Sequence, residues 1–121
     1  MPDQPIVVWN EIPVSDMKKA IAFYNSVFGY NMTIDATGPN PIAVLGGNMT
    51  VVGGHLYPGK PANSGGPTVH LAVPGKVEDA AKRCRAAGGE IVGEAITIPP
   101  GRFIYAKDPD GNSIGLFEPA A

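Results

Sequence analysis

Glu11 and His70 are the two residues whose types and spacing best suit proton transfer. They lie 59 residues apart, and the order of elements in the chain repeats at the same interval, so both take equivalent positions in two similar halves. A carboxylate beside an imidazole can act as an acid–base pair, and burial perturbs the pKa of each group. The sequence therefore predicts Glu11 and His70 as candidate catalytic residues. The alternative is a buried contact that only satisfies two polar groups.

His55, the other histidine of the chain, lies in the segment GGHLYPG. Together with Glu11 and His70 it could in principle form a metal site. Catalytic zinc, however, needs three protein ligands in a suitable geometry, and these spacings do not indicate one. We expect no cofactor and expect His55 at the edge of a ligand pocket.

The other residues with reactive side chains have structural explanations. Asp108 and Asp110 belong to a DPDG turn, in which carboxylates bond to nearby backbone groups. Cys84 falls on the apolar stripe of a helix, which is typical of a core thiol, and only exposure would make it a candidate nucleophile. The chain has no GxxxxGK loop, no G-x-S-x-G elbow and no pair of cysteines for zinc.

Composition and charge exclude several classes of protein. The 121 residues, 44% hydrophobic and 17% charged, suit one globular domain. Nine basic against eleven acidic residues give a net charge of −2 without a basic stripe, which excludes a typical nucleic-acid binder. The sequence shows no membrane span and no export signal, and its single cysteine cannot form an internal disulfide. We expect a cytoplasmic protein that contacts neither membrane nor nucleic acid.

An internal repeat organises the chain. Strand-like residues 6–14 and 68–73 are each followed by a helix-like segment that ends in glycine, and Gly29 matches Gly88 at the 59-residue spacing. The repeat therefore predicts a single domain of two modules. These are module 1 (about residues 5–57), a linker (about 58–67) and module 2 (about 68–118).

Each module contains one amphipathic helix. In module 1 apolar residues recur at i, i+3, i+4 and i+7 between Met17 and Phe28, with Ser15 or Asp16 as the cap and Gly29 as the stop. Module 2 repeats the stripe with smaller residues, and its opposite face carries charges that suit solvent. The second stripe comprises Val77, Ala80, Ala81, Cys84 and Ala87.

Three short strand candidates follow each helix, so each module has the order βαβββ. This predicts an α+β fold in which eight strands form a curved mixed sheet with the two helices outside it. The strand candidates after the helices are residues 30–35, 42–45 and 50–56 in module 1, and 90–98, 102–107 and 113–117 in module 2.

The segments DMKKAIAFYNSVFGY, AAGGEIV and KDPDGNSIGLFEP resemble a known family. They are similar to the vicinal oxygen chelate superfamily of glyoxalases, bleomycin-resistance proteins and extradiol dioxygenases. Within it, the chain resembles small bacterial glyoxalase-like proteins related to lactoylglutathione lyase. The resemblance covers essentially the whole chain and implies the two-module fold. It does not imply one activity, because the superfamily hosts several chemistries.

The resemblance also implies a divalent cation, held by a His or Gln on the first strand of each module and a Glu on the last. There the cation would polarise the oxygens of a substrate. Alignment on the family motifs puts these positions at Trp9, about Gly53 or Gly54, Thr68 and Gly115. Indole, glycine and a lone hydroxyl are poor ligands. We therefore expect no family metal, and neither a metal-dependent lyase nor a dioxygenase.

Without the metal, the resemblance still implies a cavity inside the curved sheet. Side chains at i and i+2 share one face of a strand, so if Trp9 and Thr68 point inward, Glu11 and His70 do as well. An apolar cavity with few polar groups is typical of a small-molecule pocket, although Trp9 could also fill it. The expected ligand-binding residues are Trp9, His55, Thr68, Arg102, Phe103, Tyr105 and Phe117.

Arg102 follows a PPG segment at what would be the mouth of this cavity. It could meet an anionic ligand there, or it could pair with a surface carboxylate. The sequence leaves both open.

Several functions are compatible with these residues. The first is metal-free binding of an unidentified small molecule, and a bleomycin-resistance-like protein that sequesters a drug would be one form of it. The second is a lyase or isomerase that uses Glu11 and His70, and the third is a fold retained only for assembly. A cationic drug calls for an acidic groove, which is not evident from the four acids of the first half. These are Asp3, Glu11, Asp16 and Asp35.

A homodimer is expected under each of these functions. Modules of the superfamily commonly pair between chains, and a two-fold axis makes such an interface self-complementary. The apolar edge at residues 6–12 would suit it, because an exposed edge invites pairing. The sequence leaves open whether Trp9 lies near Thr68 of its own chain or of the other subunit.

Overall fold

The first helix, α1, has the boundaries that its sequence pattern predicts. It spans Met17–Phe28, and the Asp16 side chain accepts a hydrogen bond from the Lys19 N–H at 3.1 Å, as an N-cap residue does. Gly29 adopts the left-handed conformation, with φ at 72°, and ends the helix. The computed structural model describes residues 9–38, 40–47, 52–62 and 66–120.

The second helix, α2, spans Val77–Ala86 and is capped from a distant part of the chain. Lys76 precedes it without a side-chain cap, and the Val77 N–H instead donates to Glu118 Oε1 at 2.8 Å. The last strand thus satisfies a donor that the helix itself leaves unpaired. Sequence spacing could not indicate this cap, because Glu118 lies 41 residues away.

Seven β-strands of the described residues form two sheets. Module 1 has a three-stranded sheet in the order β1-β3-β2, and module 2 has a four-stranded sheet in the order β4-β7-β6-β5. In each module the first and last strands are parallel neighbours. The strands are β1 (Trp9–Val14), β2 (Ala43–Val44), β3 (Gly53–Pro58), β4 (Val69–Ala72), β5 (Glu90–Ile98), β6 (Gly101–Lys107) and β7 (Ser113–Pro119).

This topology confirms the α+β class, with a helix after the first strand of each module. The single eight-stranded sheet, in contrast, is not observed, because no ladder joins β1 to β4 among the described residues. Residues 6–8 of the expected first strand, and with them part of the proposed dimer edge, lie outside the described residues. Residues 50 and 51 of another predicted strand also lie outside them.

The strand expected at residues 30–35 is reduced to one bridge, between Asp35 and Ile42. The side chain of Asn25, on α1, binds both backbone groups of Met32: its Oδ1 accepts from the Met32 N–H at 2.8 Å and its Nδ2 donates to the carbonyl at 3.4 Å. These backbone groups are therefore occupied by the helix rather than by a ladder.

The two modules share one hydrophobic core, because α1 and α2 pack against each other. Side chains of both sheets enter this core, for example Ile12 and Val14 from β1 and Ile114 and Leu116 from β7. Burial of this apolar surface is the main favourable contribution to folding. In the described parts of the chain, neither helix is long and apolar enough to cross a membrane.

A buried hydrogen-bond network around Asp108 also joins the modules. The Tyr24 hydroxyl, on α1, donates to Asp108 Oδ2 at 2.8 Å. The Asn112 side-chain amide donates to Asp108 and to the Pro13 carbonyl. Burial, with the Asp108 carboxylate nearby, raises the pKa of Tyr24 well above its ordinary value. Because Asp108 also accepts the Asp110 and Asn112 N–H groups, its role in the DPDG turn is confirmed.

Candidate functional site

Each sheet has one face against the core and one face turned away from the helices, which we call the open face. On β1, Ile12 and Val14 are buried in the core, so Trp9 and Glu11 lie on the open face. On β4 the side chain of Val73 enters the core at the strand's end, and His70 lies on the open face. The open faces carry Trp9, Glu11, His55 and Tyr57 in module 1, and His70, Phe103, Tyr105, Gly115 and Phe117 in module 2.

The strand register corrects one of the four family metal positions. Glu11 pairs with His55 across β1 and β3, just as His70 pairs with Gly115 across β4 and β7. Since Glu11 and His70 are equivalent, His55 is the counterpart of Gly115. Gly54 lies on the opposite face, where an added Cβ would be 2.1 Å from the Asn10 carbonyl oxygen. The position assigned to Gly54 is therefore occupied by His55 on the open face.

Three side chains of module 1, which we call the relay, are linked by one hydrogen bond and one close polar contact. The indole Nε1–H of Trp9 donates to His55 Nδ1 at 3.0 Å, and His55 Nε2 lies 3.3 Å from Glu11 Oε2. Because Nδ1 accepts a hydrogen bond, the proton of a neutral imidazole resides on Nε2, the nitrogen nearer the carboxylate. The imidazole is 13% exposed and the Glu11 side chain 65%, so the relay runs from a shielded ring to an accessible carboxylate.

A cavity of about 840 Å³ opens beside this relay. Glu11, His55 and Tyr57 form one wall, and the loop residues 35, 37, 38 and 40–42 form the other. Within the loop, the Asp35 carboxylate accepts the Thr37 N–H at 2.9 Å and the Thr37 hydroxyl at 2.7 Å, and these bonds lower the pKa of Asp35. Asp35 is therefore committed to the turn, whereas Glu11 is available to a bound molecule.

An aromatic cluster covers the open face of module 2. The His70 ring contacts Phe103, Tyr105 and Phe117 at centroid distances of 4.9, 5.9 and 6.0 Å. Phe103 and Phe117 also stack on each other at 6.2 Å. Burial lowers the pKa of His70 below its ordinary value, which favours a neutral imidazole. The cluster is therefore an apolar surface with a neutral polar ring in it.

Gly115 has no side chain, and this leaves the space beside β7 that the imidazole of His70 occupies. A Cβ at position 115 would be 2.0 Å from His70 Nδ1, so any side chain there displaces the ring. The family would place its second glutamate at this point of the sheet. In this chain the imidazole of His70 fills that space.

Exposed apolar side chains of the neighbouring strand extend this surface, and sequence reasoning missed them. Val92 pairs with Tyr105, and Ile96 pairs with Phe103. Val92, Ile96 and Tyr105 are 42%, 43% and 39% exposed. The sequence does contain a signal for them, because β5 has apolar residues at both its odd and its even positions. A strand with only one covered face needs apolar residues on that face alone, so the others indicate an exposed apolar surface.

The predicted pair of Glu11 and His70 is not formed. Glu11 contacts His55, and His70 packs in the aromatic cluster of the other sheet. The reason is topological, since β1 pairs with β3 and β4 with β7, and each residue meets partners of its own module. Thr68, also predicted to bind a ligand, has its hydroxyl 2.5 Å from that of Ser113.

Arg102 pairs with carboxylates, which is the second of the two roles that the sequence leaves open. Its guanidinium donates to both oxygens of Glu78 at 2.7 and 2.8 Å and to Glu118 at 2.7 Å. These charge-assisted bonds link α2 to β6 and β7. Arg102 is therefore part of an ion-pair cluster on the helix side, and its assignment as a ligand-binding residue stays a prediction.

This cluster predicts a loss of stability in acid. Hydrogen bonding from Arg102 lowers the pKa of Glu78 from 4.5 to about 2, and bonds from Val77 and Arg102 also lower that of Glu118. The stabilisation is therefore present above about pH 4.5 and is lost as the pH falls toward 2. We expect the Tm of the native protein to fall more steeply over this range than that of Arg102→Met. This expectation would be contradicted if Tm fell equally steeply with pH in the native protein and in Arg102→Met. It would also be contradicted if the control Arg85→Met differed from the native protein as much as Arg102→Met does.

Cys84, the free cysteine, is buried in the core, as its helical position predicts. Burial raises the pKa of its thiol to about 11. The thiol is therefore protonated at neutral pH and inaccessible, which excludes it as a nucleophile in the folded chain.

The four family positions do not fit a metal ion. Trp9 and Gly115 supply no ligand atom, and the Thr68 hydroxyl faces Ser113. His55 is the one strong donor, but both of its nitrogens are already engaged by Trp9 and Glu11. No group of three or more His, Cys, Asp or Glu residues suited to a metal occurs among the described residues.

Comparison of the sequence with known proteins identifies a matching family and two relatives. Residues 6–116 match the family described as the Glyoxalase/Bleomycin resistance protein/Dioxygenase superfamily. A protein of Mycobacterium bovis with the name "Putative glyoxylase CFP32" is 32% identical over 116 residues, or 94% of this chain. A protein of the same name from Mycobacterium tuberculosis is equally similar. The chain spans 44% of the length of these curated relatives.

Solved structures with the same fold include one described as a binding protein and one described as an enzyme. TnmS3, an antibiotic binding protein from Streptomyces sp. CB03234, superposes with a TM-score of 0.64 at 26% identity, covering 99% of this chain and 100% of its own. A glyoxalase-related enzyme from Fulvimarina pelagi superposes with a TM-score of 0.67 at 20% identity, covering 93% and 86%. The fold is thus shared by a binding protein and by an enzyme.

Proposed function

Because the chain belongs to the glyoxalase/bleomycin resistance protein/dioxygenase superfamily but its residues at the family metal positions do not fit a metal ion, we propose that it binds a small organic molecule on its open faces without a metal. The observation that carries this proposal is the position of His70 over Gly115. The imidazole of His70, in edge-to-face contact with Phe103 and Phe117, takes the place where the superfamily would hold a metal-ligating carboxylate. Apolar contact and a few hydrogen bonds would then replace coordination as the source of affinity.

The composition of the open faces supports an aromatic or otherwise flat ligand. Tyr105, His70 and the neighbouring Val92 present an apolar surface, and rings gain from stacked or edge-to-face contacts with other rings. The relay of Trp9, His55 and Glu11 on the other sheet adds a hydrogen-bond acceptor. The likeness to TnmS3 supports an antibiotic as one candidate ligand, and drug sequestration is the corresponding role.

The proposal includes a homodimer in the cytoplasm. The two open faces of one chain belong to different sheets, and a second copy related by a two-fold axis could bring module 1 of one chain to module 2 of the other. More than half of the length of the mycobacterial relatives lies outside the matched region, which leaves room there for a second domain of this size. A free, unpaired cysteine suits the reducing cytoplasm.

Metal analysis and ligand titration test the proposal together. We expect native protein, purified without chelator or histidine tag, to contain far less than one equivalent of zinc, nickel, iron or manganese by elemental mass spectrometry. Trp9 is the only tryptophan, so its fluorescence should respond when a ligand occupies the open face of module 1. Suitable probes are bleomycin and 8-anilinonaphthalene-1-sulfonate.

A matched pair of variants locates the binding surface. Tyr105→Asp places a negative charge in the apolar surface and should weaken binding of the anionic naphthalene probe at least about 10-fold, since an aromatic contact and its buried area are lost and the carboxylate repels the sulfonate. Lys82→Glu, on the solvent side of α2, should leave binding unchanged. Stoichiometric metal in the native protein, or equal binding by both variants, would contradict the proposal.

A further inference from the structure

We propose that Glu11 is a general base that removes a proton from carbon in the cavity beside Asp35 and Ile42, with His55 and Trp9 as positioning residues. This activity goes beyond the proposed binding function, and its base, Glu11, occupies none of the four family metal positions, whereas the two positioning residues occupy two of them. Three observations on module 1 carry it: the relay, the accessibility of its terminal carboxylate and the cavity that this carboxylate faces.

The relay orients the carboxylate of Glu11. His55 Nε2 lies 3.3 Å from Glu11 Oε2, and the other oxygen, Oε1, takes no part in this contact. Among the described residues, His55 is the contact that holds this side chain. An oriented carboxylate needs less reorganisation to take a proton than a freely rotating one.

The relay also decides which group acts as the base. His55 Nδ1 accepts the Trp9 indole N–H at 3.0 Å, so the imidazole has no free lone pair. It could gain a proton only by breaking the bond to Trp9. His55 therefore contacts Glu11 as a positioning residue, and the carboxylate is the group able to take a proton.

The walls of the cavity favour a small planar carbon acid. Tyr57 and Ile42 provide apolar surface next to Glu11, and the Tyr57 ring packs edge-on to His55 at 6.2 Å. A planar molecule with an acidic C–H beside an electron-withdrawing group would stack on this wall with its C–H near the carboxylate. Asp35 lines the same cavity but is held by Thr37 in the loop turn.

A chromogenic carbon acid, 5-nitrobenzisoxazole, provides the direct test. The carboxylate takes the proton from C3, the electrons of the C3–H bond form the third bond of a nitrile, and the N–O bond breaks. The products are 2-cyano-4-nitrophenolate and protonated Glu11, which returns its proton to water. The reaction needs no metal, oxidant or cofactor, and the coloured phenolate reports its rate.

We expect saturable catalysis by the native protein and a loss of about 100-fold or more in kcat for Glu11→Gln, the usual size of a general-base contribution. His55→Gln and Trp9→Phe should lower kcat about 10-fold with little change in KM, because they loosen the base without removing it. The control Glu94→Gln, on the exposed part of β5, should match the native protein. Acetate should restore part of the rate to Glu11→Ala, which a merely structural role of Glu11 would not allow.

Three results would overturn this assignment. They are no acceleration beyond that of free acetate at equal concentration, full activity of Glu11→Gln, or a larger loss in Asp35→Asn than in Glu11→Gln. Measuring the binding of the naphthalene probe to each variant distinguishes a failure of the proposed binding function from a failure of the proposed general base. If Glu11→Gln binds the probe but loses the elimination activity, the base is confirmed. If the native protein binds the probe and has no such activity, only the binding function stands.

Discussion

Replacing Asp108 with alanine should lower the free energy of unfolding by about 3 kcal/mol, since it leaves buried donors without a partner. The carboxylate accepts the Tyr24 hydroxyl, the Asn112 side chain and two backbone N–H groups. Asp108 and Tyr24 are almost fully buried, so water cannot replace these bonds without opening the core. The change would also detach the turn of module 2 from the first helix.

Urea unfolding followed by circular dichroism measures this effect. Asp110→Ala is the matched control, because Asp110 accepts hydrogen bonds from Ser15 at an exposed site of the same turn. Its expected cost is below about 1 kcal/mol. Tyr24→Phe, which removes one donor and keeps the ring, should fall between the two. Equal losses in Asp108→Ala and Asp110→Ala would show that the buried network does not carry the stability assigned to it.

Gly115→Glu, which supplies the carboxylate expected of the family, should destabilise the protein by about 2 kcal/mol and should not create a metal site. A Cβ at this position would lie 2.0 Å from His70 Nδ1, so the imidazole must leave its place against Phe103. Overpacking of this kind typically costs about 1–3 kcal/mol. Trp9 and Thr68 would still offer no strong ligand to the added carboxylate.

The double variant His70→Ala, Gly115→Glu separates the two parts of this prediction. Removal of the imidazole makes room for the glutamate, so the pair should be more stable than the sum of the single changes, by a coupling of about 1 kcal/mol or more. Zinc titration by calorimetry should show no stoichiometric site in either variant. Additive stabilities, or a site filled by one equivalent of zinc, would contradict the role given to His70.

The helices and module order could be predicted from sequence because local signals specify them. The Asp16 cap, the apolar stripe of α1 and the left-handed Gly29 all act within one short segment. The cap of α2 could not be predicted, since it depends on Glu118 from another strand. The missing strand at residues 30–35 has a similar cause: whether the Asn25 amide binds backbone groups is decided by tertiary structure.

The candidate site was predicted in part. Strand alternation correctly puts Glu11 on the open face of β1 and His70 on that of β4. The partner of Glu11 could not be derived, because it depends on the register between β1 and β3, and a shift of one residue exchanges Gly54 for His55. The sequence could not choose between the two roles of Arg102 for the same kind of reason, since its carboxylate partners come from α2 and β7.

The Asp108 network has a kinetic consequence for ligand capture. A hydrogen bond from Tyr24 of module 1 to Asp108 of module 2 joins the modules, which also share one hydrophobic core. The two open faces therefore keep their relative orientation before a ligand arrives. A protein that must first close a hinge associates slowly, whereas a rigid site is limited by diffusion and by the orientation of the encounter. Differences between ligands should therefore appear as differences in residence time on the protein, with similar rates of arrival.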